Sequence, residues 1–265
     1  MIKARDGVKV PVSLIYKKGI NLKDAPLLQY GYGSYGAVIE PSFKLSFMPL
    51  IEQGFIFAIA HIRGGQDLGR DWYDQGRMMN KMNTFFDFID CSKELLKKEI
   101  GNKSKIFAMG GSAGGLLMGA IINLEPSLYK GIVSAVPFVD VLTTMSDESI
   151  PLTTFEYKEW GNPKNKEEYD YIKSYSPYDN IKKQNYPTVF VTSSLFDSQV
   201  QYYEPAKYVP KLRENNSSEN PIIMKMNLIG GHAGKSGRLN ALEESAQDNA
   251  FSVSYTHLRA HETVL

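Results

Sequence analysis

Ser112, Asp197 and His232 have the residue types, and the order along the chain, that acyl transfer to a serine requires. Ser112 lies in Gly110-Gly111-Ser112-Ala113-Gly114, a G-x-S-x-G pentapeptide within KIFAMGGSAGGLLMGAIINL. A short apolar strand precedes it and a helical pattern follows. Only small residues fit around so tight a strand-to-helix turn. The turn holds the serine in a strained backbone conformation, with its hydroxyl above the sheet. The start of the following helix directs its dipole and unpaired N–H groups at the reacting centre, and the Ala113 N–H is one oxyanion donor.

A serine hydroxyl needs a base before it attacks. His232, in IGGHAGKSG, follows a strand-like run, and glycines on both sides suit a close approach of substrate. His61 precedes the serine, ends an apolar strand and reads as structural. The acid should follow a strand between serine and histidine, where Asp140, Asp147, Asp170, Asp179 and Asp197 are available. Asp197, in TVFVTSSLFDSQV, comes a few residues after a clear strand end and would orient the imidazole. Asp140, after VPFV, is the alternative.

A second glycine pattern, Gly31, Gly33 and Gly36 in LLQYGYGSYGAV, spells G-x-G-x-x-G after an apolar run. A dinucleotide turn would need a helix starting at the third glycine and an acid ending the second strand. Pro41 leaves little room for the helix, and the second position reads His61-Ile62-Arg63. The loop therefore reads as part of the serine chemistry, with no nucleotide cofactor and no metal implied.

These residues need elements to position them. Apolar runs at Val10 to Lys17, Leu27 to Tyr30, Phe55 to His61, Lys105 to Met109, Gly131 to Val136, Thr188 to Ser193 and Ile222 to Leu228 read as strands. Phe43 to Gln53, Thr84 to Ile100, Gly114 to Leu124, Tyr203 to Glu214 and Arg238 to Phe251 read as helices, with Pro210 a kink. Strands alternating with helices predict one domain with a mostly parallel sheet covered on both faces. Residues 139 to 179 read as a long, partly helical insertion over one edge of that sheet.

Lys+Arg 30 against Asp+Glu 29 gives a net charge of +1, which argues against a nucleic-acid partner. The longest apolar run, Phe55 to Ala60, is too short to span a membrane. The single cysteine, Cys91, excludes internal disulfides and reads as core filler. The start carries no apolar leader and reads as internal to a longer protein. The end, VSYTHLRAHET, resembles a reading frame through a sequencing adapter, so 252–265 is expected to be foreign. That removes His257 and His261 from any catalytic role.

With the three residues placed, the chain resembles the catalytic domain of the prolyl oligopeptidase family of serine peptidases, closest to its oligopeptidase B branch. The resemblance rests on ARDGVKVPVSLIY, YGYGSYGA, HIRGG, WYDQG, GGSAGGLLMG, VPFVDVLTTM, EWGNP, SYSPYDN, DSQVQYYEPAKYV and GHAGKSGR, and covers about Ile2 to Phe251. It implies an α/β-hydrolase fold over 1–251, with Ser112, Asp197 and His232 as the triad. It also implies Tyr32 as second oxyanion donor and short peptides as substrates. An N-terminal β-propeller, which restricts entry in the family, has no counterpart here. The branch cleaves after Arg and Lys, and Glu156 matches the principal acid of that pocket. The second acid of its E-x-E falls on Lys158, while Glu159 is spaced to turn elsewhere. Acids of the next subsite match Glu40 and Ser42, and a substrate-contacting arginine is replaced by Gln199. A cytoplasmic location is the family's; a periplasmic one stays open because the start reads as internal. The alternatives are a prolyl-specific peptidase, an esterase, which often carries an HGGG-type loop absent here, and an inactive fragment lacking its propeller.

Overall fold

The computed structural model describes residues 1–257. The chain runs β1 (Ile2–Lys3), β2 (Lys9–Val10), β3 (Val12–Ile15), β4 (Leu27–Tyr30), α1 (Met48–Glu52), β5 (Ile56–Ala60), α2 (Arg70–Asp74), α3 (Met82–Lys97) and β6 (Ile106–Gly111). It continues through α4 (Ala113–Leu124), β7 (Gly131–Ala135), α5 (Val141–Ser146), α6 (Tyr157–Trp160), α7 (Lys166–Tyr175), β8 (Thr188–Ser194), α8 (Tyr203–Glu214), β9 (Ile222–Asn227) and α9 (Arg238–His257). β1 and β2 form a short antiparallel ribbon. The other strands form one sheet in the order β3-β5-β4-β6-β7-β8-β9, with β3 antiparallel to β5 and all other pairs parallel. This is the α/β-hydrolase fold.

Burial explains why the strands read as they do. Every residue of β5 is buried, because helices cover both faces of a parallel sheet and leave no polar side. The faces still alternate. Leu27, Ile56, Ala58, Ile106 and Ala108 join the core beneath α3, α4 and α8. Leu28, Phe57, Ile59 and Phe107 join the opposite core, beneath α1 and α9. β3, at the sheet edge, is half-buried throughout. The strand expected over Val10 to Lys17 divides at Pro11, which has no N–H to give a ladder. The helix expected over Phe43 to Gln53 is a 3-10 turn at Leu45–Phe47 running into α1.

The insertion at 139–179 does not lie over an edge. It forms the crossover between β7 and β8, which are interior neighbours, and so rises over the middle of the sheet. Tyr171 Oη accepts the Met82 N–H at 3.0 Å, and Tyr175 packs on Phe85 at 5.7 Å between ring centroids. α9 begins where expected and runs on through His257, with Phe251 stacked on Phe190 and Tyr255 against Phe251. The boundary expected at 252 falls inside this helix. Residues 258–265, His261 among them, lie outside the described residues.

The strand order places the chemistry. β4 pairs with β5 on one side and β6 on the other, with Tyr30 opposite Met109. The loops after β4 and β6 therefore emerge side by side at the carboxyl ends of the strands. That is the crevice where open parallel sheets carry their sites.

Candidate active site

Ser112 stands between β6 and α4 at φ 57° and ψ −119°, a conformation that L-residues rarely adopt. Its surroundings impose it. The Ser112 N–H donates to Ala135 O at 2.8 Å, and its carbonyl accepts from Gly115, Leu116 and Phe138 at 2.8, 3.2 and 3.1 Å. The flanking glycines follow from space. A Cβ on Gly110 would sit 2.4 Å from Gly114 O, and one on Gly115 would sit 2.4 Å from Pro137 Cα. α4 begins at Ala113, whose N–H, as the first of a helix, has no intrahelical acceptor.

Tyr32, on the loop after β4, is half-buried and lines the same cleft as Ser112. Burial pushes this phenol up to about 12, only partly offset by the neighbouring Ser112. It therefore remains a protonated donor at ordinary pH. The loop winds through positive φ at Gly33, Tyr35 and Gly36. The next helical residues after it are Leu45–Phe47, so no helix start stands at Gly36 to bind a pyrophosphate.

His232 lies on the loop between β9 and α9. Its Nδ1 is 2.9 and 2.8 Å from the two oxygens of Asp197, whose side chain is fully buried. Asp197 Oδ1 also accepts the Gln199 and Val200 N–H groups, each at 2.9 Å. Donation from Nδ1 to the carboxylate leaves Nε2 as the basic nitrogen. Asp140 is engaged elsewhere: it is buried and ion-paired with Lys207. Beside it, burial pushes the Glu204 carboxyl up to about 7. Glu204 accepts the Val139 and Asp140 N–H groups and the Thr144 hydroxyl.

Ser112 opens into a cleft of about 200 Å³, lined by Tyr32, Tyr35, Phe138, Thr144, Glu156 and Gln199 among others. A larger cavity, about 560 Å³, lies between the His232 loop and α9, and Ser112 does not line it. The smaller cleft is the one beside the nucleophile.

Against known proteins, the model of the prolyl oligopeptidase family matches residues 41–258. This chain belongs to the prolyl oligopeptidase family. It is 54% identical over 250 residues to dipeptidyl aminopeptidase BI of Pseudoxanthomonas mexicana, covering 94% of this chain and 35% of that protein. It is 49% identical over 262 residues to protease 2 of Moraxella lacunata, covering 98% of this chain and 38% of that protein. The solved oligopeptidase B of Trypanosoma brucei, with covalently bound antipain, superposes with a TM-score of 0.95 at 46% identity, over 97% of this chain and 37% of that one. The chain thus spans about a third of the length of the curated relatives it matches.

The prolyl oligopeptidase resemblance implies a set of substrate-binding residues, and the structure divides them. Glu156 is half-buried at the cleft, and its Oε2 accepts from Tyr35 Oη at 2.9 Å and Trp160 Nε1 at 2.8 Å. Gln199 is exposed and lines the cleft; Lys158, Glu40 and Ser42 are exposed and do not. Glu159 is buried and turned into the Tyr32 loop, accepting the Tyr35 N–H at 2.9 Å and the Tyr73 hydroxyl at 2.5 Å. Sequence reasoning missed Tyr35 and Trp160, the two supports of Glu156. The third tyrosine of YGYGSY was the available signal, but only folding sets its hydroxyl on a carboxylate 121 positions away.

Proposed function

We propose that this chain is the catalytic domain, over residues 1–251, of a serine oligopeptidase that cleaves short peptides on the carboxyl side of Arg or Lys. The observation that carries the reading is the Ser112 turn, strained beside a helix start and sharing its cleft with Tyr32, in a fold that pairs His232 with Asp197. Ser112 Oγ attacks the scissile carbonyl carbon and passes its proton to His232 Nε2. Asp197 balances the imidazolium, while the Tyr32 hydroxyl and the Ala113 N–H meet the developing oxyanion. His232 then protonates the departing amine. Water, with its proton taken by His232, attacks the acyl-enzyme and frees Ser112. No cofactor or metal enters these steps.

Glu156 supplies the basic preference, since a carboxylate held by Tyr35 and Trp160 presents a fixed acceptor to a guanidinium. In the whole protein, an N-terminal β-propeller covers this face and admits only short peptides. The test is fluorophosphonate labelling of Ser112, followed by cleavage of peptides that differ only at P1. Arg and Lys are expected to exceed Pro and Phe. A Pro preference overturns the Glu156 assignment, and a chain that does not label overturns the peptidase reading.

The 54% identity to a protein named dipeptidyl aminopeptidase favours a second reading, release of dipeptides from free N-termini. Acetylating the substrate N-terminus abolishes turnover on that reading and leaves it intact on the first.

A further inference from the structure

Lys81 is 1% exposed, at the position just before α3. Its ammonium donates to Gly33 O at 2.6 Å, Ser34 Oγ at 2.8 Å and Gly76 O at 3.2 Å, and lies 5.0 Å from the Trp160 ring centroid. Burial lowers this ammonium to about 8, against the pull of Glu159. An apolar side chain would fill the space without that desolvation cost. What the ammonium adds is a set of donors for a loop that has little regular structure to pair its carbonyls. Gly33 O belongs to the residue immediately after Tyr32. The same loop reaches positive φ at Gly33, Tyr35 and Gly36, so it cannot hold its shape through a ladder or a helix. On its far side, Glu159 holds the Tyr35 N–H independently.

We infer that Lys81 is a positioning residue for the oxyanion donor: its ammonium fixes the Gly33–Ser34 backbone and so sets the Tyr32 hydroxyl against Ser112. The inference rests on the reading of Tyr32 as that donor. Its consequence is energetic coupling between two side chains for which no mutual contact is needed, Lys81 and the Tyr32 hydroxyl, through one backbone segment.

The experiment is a double-mutant cycle on the full chain, using Tyr32→Phe, Lys81→Met and the double variant. Fluorophosphonate labelling of Ser112 is resolved into its maximal rate and its half-saturating concentration. Lys81→Met is expected to slow the maximal rate by about 30-fold, with half-saturation changed less than about 3-fold, because it misplaces a transition-state donor rather than the binding cleft. In the Tyr32→Phe background, the same substitution is expected to cost less than about 3-fold, since the group it positions is already gone. Lys81→Arg, which keeps charge and donors, is expected to recover most of the rate.

Equal losses in both backgrounds overturn the inference and leave Lys81 a support of the fold at large. A Tyr32→Phe chain that labels like the parent overturns the reading of Tyr32 itself, a different result from an impaired Tyr32→Phe chain that shows no coupling. Should Lys81→Met not fold, Ser34→Ala removes one acceptor alone. Its expected loss is about 3-fold in the parent and none with Tyr32→Phe; the same loss in both backgrounds overturns the inference.

Discussion

Among the described residues two Ser, His and Asp groupings stand apart, and the one with the more complete hydrogen bonding is not the one proposed for chemistry. His61 Nε2 is 2.9 Å from Ser13 Oγ, and its Nδ1 is 2.8 Å from Asp67 Oδ1. Elsewhere, His232 is bonded to Asp197, while Ser112 lines a cleft beside Tyr32. The serine–histidine bond of an unliganded active site is commonly loose and tightens with substrate. The difference lies in the serines. Ser13 sits mid-strand in β3, in an extended edge pairing opposite Ile59. Ser112 occupies a strained turn with a helix start on one side and the half-buried phenol of Tyr32 in the same cleft. A bonded triple supplies a base; a reaction also needs donors already aimed where charge will develop.

This contrast can be broken at several points. Ser112→Ala is expected to abolish labelling and to lower kcat about 10⁶-fold. Label found on Ser13 would show that the second arrangement reacts after all. Asp197→Asn is expected to cost about 10⁴-fold in kcat by reversing the imidazole tautomer, whereas Asp67→Asn leaves turnover unchanged. Tyr32→Phe is expected to cost about 10²-fold in kcat. Because the phenol titrates only near 12, that ratio should stay level from about pH 7 to 10; a penalty that fades across this range would mean the hydroxyl is not the donor.

Smaller effects sharpen the comparison. Glu156→Gln is expected to lower kcat/KM for Arg and Lys substrates about 10-fold or more, with Phe substrates unaffected. Equal losses for all would assign Glu156 to the frame of the cleft. Ser13→Ala leaves kcat within about 2-fold and costs about 1 kcal/mol of stability, the worth of an ordinary hydrogen bond. A thermal midpoint lowered by about 2–4 °C would register it.

The parts of the site legible in the sequence are those with local causes. The glycines around Ser112 are demanded by a turn of a few residues, so the pentapeptide announces itself. The strands beneath it are short apolar runs, because both faces of the sheet are covered. The expected edge placement of 139–179 failed because an insertion's length does not say where its two strands lie in the sheet. The supports of Glu156 were illegible for a related reason. Tyr35 and Trp160 look like core aromatics until folding sets them on one carboxylate oxygen.

Sequence alone determined the residue types of the proposed reaction, their order along the chain, and the strand–turn–helix that strains the serine, the last because it depends on neighbours within a few positions. Tertiary structure decided which acid His232 meets, with Asp140 claimed by Lys207 and Asp197 left to the imidazole. It also decided that the glycine loop lies beside the Ser112 turn, because the pairing of β4 with β6 brings the two loops together. Such partnerships depend on sheet order, and sheet order is set by the burial of whole faces rather than by any short run of residues.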